Sequence, residues 1–289
     1  MSHDSEASTS AGVSVVAAIQ PDVRLTPPEP GGAVTPIPVP QNQRLMMLTT
    51  ALPLLSVAAA WFIAPGWSYI AASAVLLAFL AVLGHSLTGT PFGVLISERN
   101  IMSLSRFQAA TWTVIVVAGY LTMVIARVKT NTPDAVNVAI PQELWWAMGI
   151  ASTSLLGTPL LLSGKRAKTP DAKVVAFTAA QLSESPSDIN AQRQGALYAN
   201  KSIQDARISD IFQGDEVGNT ARIDLAKVQM FYFTAIAAVT YFVDISMAIR
   251  RGALTSLPEL SEGLIALLAI SHGGYLVSKA TDHSNSKPS

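Results

Sequence analysis

Six apolar stretches of about 20 residues constrain this chain more than any other feature: residues 45–64, 68–87, 109–127, 143–163, 229–249 and 258–278. At a helical rise of about 1.5 Å per residue, each can cross a hydrocarbon core of about 30 Å. Together they hold 122 residues and only five formal charges: Arg127, Glu143, Asp244, Glu259 and Glu262. All but Asp244 lie near an end of their stretch, where a polar side chain reaches the headgroups. Helices are the expected form, because at this length only a helix satisfies its own backbone polar groups in lipid. Composition agrees. Half of the 289 residues are hydrophobic and 13% are charged, against about 25% charged in an ordinary soluble domain.

The sequence therefore predicts an all-α membrane protein with six transmembrane helices and both termini on one side. Placing the termini inside gives the inner segments 15 lysines and arginines and the outer loops four (Arg127, Lys129, Arg250 and Arg251), as the positive-inside rule requires. Trp61, Trp67, Trp145 and Trp146 then fall at the outer interface and Trp112 near the inner one. The first two helices are joined through Pro65-Gly66-Trp67 and must form an antiparallel hairpin over residues 45–87. Pro53 and Pro159 are expected to kink their helices. Residues 1–44 form a cytosolic tail expected to be disordered, proline-rich in Thr35-Pro36-Ile37-Pro38-Val39-Pro40. Its apolar patch, residues 11–19, follows Asp4 and Glu6 instead of a basic region, which argues against a signal peptide.

The second half carries an internal duplication. With a constant offset of 121, residues 93–127 lie on 214–248, matching Gly93 with Gly214, Leu104 with Leu225, Gln108 with Gln229, Thr113 with Thr234, Ile115 with Ile236 and Tyr120 with Tyr241. Arg106/Lys227 and Trp112/Phe233 are similar pairs, and Ile140-Pro141-Gln142-Glu143 resembles Leu257-Pro258-Glu259-Leu260. Repeat 1 (93–163) and repeat 2 (214–280) are then parallel copies related by an axis along the membrane normal, separated by a cytosolic loop (164–213) and followed by a short tail (281–289). Ser103-Leu104-Ser105-Arg106-Phe107-Gln108, with Asp224-Leu225-Ala226-Lys227-Val228-Gln229-Met230, resembles uncharacterised bacterial multi-pass inner-membrane proteins with a duplicated two-helix unit. The resemblance runs over about residues 93–280 and implies a bacterial inner (plasma) membrane location. It implies no activity.

Few residues suggest chemistry. Asp244 lies within a span and requires a partner, water or protonation, since an acid at mid-bilayer costs about 2.5–3.5 kcal/mol. The repeat alignment offers Arg127 as that partner, and a proton or cation pathway is the functional alternative. His272, flanked by Gly273 and Gly274, is expected to face protein and hydrogen-bond a neighbour, with a proton relay as the alternative. His85 reads as interfacial. Gly149, Thr153 and Gly157 form a small-residue stripe, with Gly273 in the last span, expected to pack helix on helix or subunit on subunit. Within residues 164–228, Lys165, Arg166, Lys168 and Lys173 are expected to meet anionic lipid, and residues 206–213 to form a helix lying on the surface or under the bundle through Ile208, Ile211 and Phe212. Asp210, Asp215, Glu216, Asn219 and Asp224 lack calcium-loop spacing and read as a solvated, helix-capping run.

There is no cysteine, phosphate loop, metal-ligand spacing or Ser/His/Asp grouping. Neither a cofactor, a metal nor enzyme activity is expected. Nineteen basic residues balance 19 acidic ones, which excludes a broad nucleic-acid surface. Expected partners are the lipid bilayer, a cytosolic protein held through residues 1–44 and 164–228, and a second copy of the chain. The expected function is a membrane anchor or scaffold. The alternative is a small-solute or ion channel or transporter, with a path between the repeats.

Overall fold

The computed structural model describes residues 43–288, so the proline-rich tail and its role as a partner-binding segment lie outside the described residues. Eight α-helices occur: α1 (Gln43–Phe62), α2 (Pro65–Thr88), α3 (Leu104–Lys129), α4 (Gln142–Arg166), α5 (Ala172–Leu182), α6 (Pro186–Gln192), α7 (Leu225–Arg251) and α8 (Glu262–Ala280). Five of them, α2, α3, α4, α7 and α8, are long and apolar enough to cross a membrane, while α1 offers a shorter apolar stretch, Met47–Phe62. α2, α4 and α7 run past their apolar stretches by about a turn or less and α3 opens earlier still, at Leu104, because capping and hydrogen bonding continue where hydrophobicity ends. α1 stops at Phe62, short of the end of its stretch. α8 is the exception at its start. It opens at Glu262, where Ser261 accepts a hydrogen bond from the Leu264 amide, so Pro258 stays in the preceding loop. Pro65 is the first helical residue of α2, a position where the missing N–H is no loss. Both α1 and α4 continue through their internal prolines, Pro53 and Pro159.

The C-terminal ends of α1, α3 and α7 meet the N-terminal ends of α2, α4 and α8. Lys129 donates to the Trp61 carbonyl (2.8 Å) and Arg250 to that of Gly66 (3.3 Å). The two interhelix loops run side by side, with the Ala139 amide on the Thr255 carbonyl (3.2 Å) and the Leu257 amide on that of Ala139 (2.9 Å). The segments before Ile140-Pro141 and Leu257-Pro258 are thus paired. Leu104 and Leu225, 121 residues apart, open α3 and α7, and each is preceded by a hairpin closed at Met102 or Ile223. Yet matched side chains differ in setting: Gln108 and Ile115 are buried where Gln229 and Ile236 are exposed, and Thr113 is exposed where Thr234 is buried.

The apolar core of the bundle carries polar pairs between helices. Buried Gln108 on α3 donates to Thr234 on α7 (2.6 Å), and Ser154 on α4 meets His272 Nδ1 on α8 (2.7 Å). Leu156, Leu160, Val239, Ile270 and Val277 meanwhile stand more than 60% exposed. That distribution suits hydrocarbon outside and helix contacts inside. Between the helices lie Tyr69, Met123, Leu144, Tyr241, Ile245 and Leu257, fully enclosed. Trp112 belongs to this core, at 2% exposure, and not to an interface, because its face of α3 turns toward Tyr241. Trp61, Trp67, Trp145 and Trp146 are exposed at the end where the short loops gather.

Close helix approach occurs at Gly119, where an added Cβ would sit 3.1 Å from Ile245 on α7. It does not occur along the expected stripe. Gly149, Thr153, Gly273 and Gly274 all face outward, and only Gly157 nears another helix, at Leu276. The interhelix face of α4 is the neighbouring row Leu144, Ala147, Ala151, Ser154 and Thr158.

Arg127 and Asp244 are not joined. Arg127 is buried and donates to the carbonyls of Asn137 (2.9 Å), Asp134 (3.1 Å), Pro133 (3.3 Å) and Leu254 (3.4 Å), holding both loops, while Asp244 is exposed. These carbonyls belong to the loops, where no helical N–H pairs them, and they compete effectively for a guanidinium. Arg127→Met should therefore destabilise the detergent-solubilised protein by about 2–3 kcal/mol, whereas Asp244→Asn should leave its unfolding midpoint unchanged and show no coupling in a double-mutant cycle.

Candidate functional site

At the opposite end of the bundle, three helices finish their buried rows on a lysine. On α4 the row Ser154, Thr158, Leu162 ends at Lys165; on α8 Leu268, Ser271, Tyr275 ends at Lys279; and on α7 Lys227 precedes Met230, Thr234 and Tyr241. Each lysine is nearly excluded from solvent. Lysine seldom goes inside without a counter-charge, and residues 164–228 supply it by folding over this end.

That segment is a cap with its own small core, Val175 and Ala179 of α5, Ile189 of α6 and Val217. Ser185 caps α6 in a reciprocal capping box with Asp188. Residues Ile208–Phe212 form a 3₁₀ turn that meets the bundle through Ile211 and through Phe212 on Phe231 (5.1 Å, edge-on), leaving Ile208 exposed. Gly195 takes φ +64° and lies on the Arg166 backbone, where any Cβ would collide with the carbonyl. The C-terminal segment closes the cap: Lys287–Pro288 (β2) pairs antiparallel with Lys168–Thr169 (β1), and the Gly218 amide donates to Ser284 Oγ (3.1 Å). Asp282 accepts from the Ser284 and Ser286 amides. Slight burial pushes its carboxyl up, but these bonds outweigh it and carry it down to about 2.

The acidic run is at its centre, and its core members are not solvated. Asp215 receives Arg99, Lys227 (3.1 Å) and Lys279 together. Glu216 takes Lys165 on one oxygen (2.5 Å) and the His283 amide on the other (3.0 Å). Lys165 also donates to the Thr281 carbonyl (2.6 Å), so it is turned inward and away from lipid headgroups. Asp224 does cap a helix, accepting from the Ala226 and Lys227 amides. Buried Asp210 accepts from the Met102 and Arg207 amides, and burial, outweighing those bonds, raises its carboxyl.

Arg99 arrives from the hairpin between α2 and α3, at whose tip Asn100 takes a left-handed φ of 56°. Asn100 and Asn200 exchange side-chain to carbonyl hydrogen bonds (3.1 and 2.8 Å), clamping hairpin to cap. The guanidinium reaches through to the carbonyls of Tyr198 (3.0 Å) and Asp215 (2.9 Å). Burial draws Arg99 down to about 10, with Glu98 opposing, and leaves it charged at neutral pH. Glu98 itself, pushed up by partial burial, is carried lower overall by a backbone hydrogen bond and by Arg166, Arg99 and Arg106.

Beside this cluster, between α3 and α4, opens a cavity of about 510 Å³. Arg99, Lys227, Lys279 and Asp215 line it together with Arg106, Ser105, Thr158 and Tyr275. Thr158 donates to the Tyr275 hydroxyl (3.2 Å). The matched pair Arg106 and Lys227 therefore faces one space. Of the residues singled out in the sequence, Asp244, Arg127, His272, Gly149, Thr153, Gly273 and Gly274 all lie elsewhere. The lysines were findable, since each continues a helical row of buried residues at steps of three or four. Arg99 and Asp215, both in loops, gave no such signal.

Comparison with known protein families, with curated proteins and with solved structures finds no match.

Asp215 holds three cations. Asp215→Asn should leave them buried without their shared anion and cost about 3–5 kcal/mol, read as a lowered thermal midpoint and as faster proteolysis within residues 164–228.

Proposed function

We propose that this chain is an integral membrane anchor: six spans, α1 included, in a bacterial inner membrane, both termini cytoplasmic, carrying a rigid cap that holds a soluble partner or assembly at the membrane. The observation that carries this reading is the attachment of the cap. Residues 164–228 are fixed to the ends of α4, α7 and α8 by Lys165–Glu216 and by the three cations on Asp215, so a load on the cap is transmitted to the bundle. The filled core between the spans is further support, since Met123, Leu144 and Ile245 occupy the space a solute path would need. The coincident starts of α3 and α7 and the paired interhelix loops support a duplicated two-helix unit.

The cap also offers a contact surface. Phe177 and Ile223 are exposed, at 55% and 71%, and the Arg222 guanidinium lies 6.0 Å from the Phe177 ring. Apolar side chains beside an arginine are the composition that protein interfaces favour. Affinity purification of the full chain from gently solubilised membranes should bring down a defined soluble protein. Phe177→Ser with Ile223→Ser should reduce its recovery several-fold, with the amount of anchor unchanged. Recovery unaffected by that pair and by removal of residues 1–40 would defeat the tethering function.

A further inference from the structure

We propose that the cavity between α3 and α4 binds the phosphate group of an anionic phospholipid. Three cations, Arg99, Lys227 and Lys279, share the single carboxylate of Asp215, and each side chain is 3–4% exposed. The cavity as a whole is lined by four cationic side chains, these three and Arg106, against two carboxylates, Asp215 and Glu98, so its formal lining charge is positive in a place where an unpaired charge is costly. All three line the cavity, as do the hydroxyl-bearing Ser105, Thr158 and Tyr275. A phosphate there would offset that charge and accept from the cations and from the Ser105 and Tyr275 hydroxyls, in charge-assisted bonds of the kind that hold oxyanions most strongly.

The walls favour a lipid as the source. From the charged floor the cavity rises along Ala109, Ala110 and Thr113 of α3 and Leu155 and Pro159 of α4. Arg106 to Thr113 covers about 10 Å of helix. Free phosphate has no use for that apolar groove, whereas a glycerol and the start of an acyl chain fill it. Pro159 gains a role here: its ring lines the groove on the outward face of α4. Basic pockets at the inner ends of membrane helices are a recognised way of holding phospholipid headgroups.

The test uses full-length protein, delipidated in neutral detergent, with dioleoylphosphatidylglycerol, dioleoylglycerol and inorganic phosphate as probes. Native mass spectrometry and the thermal midpoint are the readouts. Phosphatidylglycerol should be retained and raise the midpoint, dioleoylglycerol should do neither, and inorganic phosphate should bind at least about tenfold more weakly. Lys279→Met should lower phosphatidylglycerol affinity about tenfold or more. Arg106→Gln, at the half-exposed rim, provides the same reading if the buried variant does not fold. Ala109→Phe should block the lipid and spare phosphate. Equal binding of phosphatidylglycerol and dioleoylglycerol, or affinity unchanged by both charge variants, overturns the site. Phosphate binding as tightly as the lipid and untouched by Ala109→Phe overturns the lipid as its source. The proposal rests on the helices lying in a bilayer. Solubility without detergent would defeat that reading, and a detergent-dependent protein without lipid preference would defeat this one alone.

Discussion

Hydrocarbon offers no hydrogen bonds, and the bundle, with five helices long and apolar enough to cross a membrane, is arranged as that constraint demands. Polar side chains within the spans look to another helix, to their own backbone or to an end for partners. Gln108 finds Thr234, His272 finds Ser154, and Tyr69 donates to the Ile115 carbonyl (3.3 Å). Many large aliphatic side chains, Leu156, Leu160, Val239 and Ile270 among them, also stand on the outside, where water would penalise them and lipid would not. The core mixes large side chains such as Tyr69, Met123, Leu144 and Tyr241 with close approaches, as at Gly119 against Ile245 where α3 meets α7. In lipid, close approach and hydrogen bonding replace the hydrophobic effect as the source of helix association.

The two ends of the bundle solve the same problem in different ways. At one end the loops are short, and one guanidinium, Arg127, ties both to the α3 terminus through backbone carbonyls. At the other end the connection from α4 to α7 is long, and charge does the fastening. Asp215 and Glu216, adjacent in sequence, take lysines from three helices and an arginine from a fourth segment. Removing either acid would release several elements at once, so the folded cap and the ends of the helices are parts of one cooperative structure. The cavity beside these charges is lined by more cations than carboxylates, and a phosphate ligand would offset that difference.

Much of this was legible from periodicity and length. Apolar stretches of about 20 residues located the helices, because hydropathy reports directly on the surrounding medium. His272 faces protein and bonds Ser154 as its flanking glycines suggest, whereas Asp244 and Arg127 do not meet. Asp244 is isolated within its stretch, and the sequence pattern does not show that its side of α7 is exposed. Gly149, Thr153 and Gly157 had the spacing of a packing stripe, but spacing alone does not say which way a row points, and the row beside it turned inward. The acidic run of the loop read as solvated because its basic partners are distant in sequence: Lys165 is 51 residues from Glu216 and Arg99 is 116 from Asp215. Contacts of that range are set by how the loop folds back, which no local pattern encodes.

The central claim is that lipid surrounds the exposed apolar faces, and the absence of cysteine allows a clean test. Single cysteines at Val239, Leu160 and Ile270, each more than 60% exposed, would be challenged with a membrane-impermeant maleimide in intact membranes. Thr255 in a short loop and Lys201 in the cap would serve as water-accessible references. The account predicts that the three mid-helix cysteines resist labelling until the protein is denatured, while the two references react from opposite faces of the membrane. Labelling at Val239, Leu160 and Ile270 as fast as at the references would place those faces in water and contradict it.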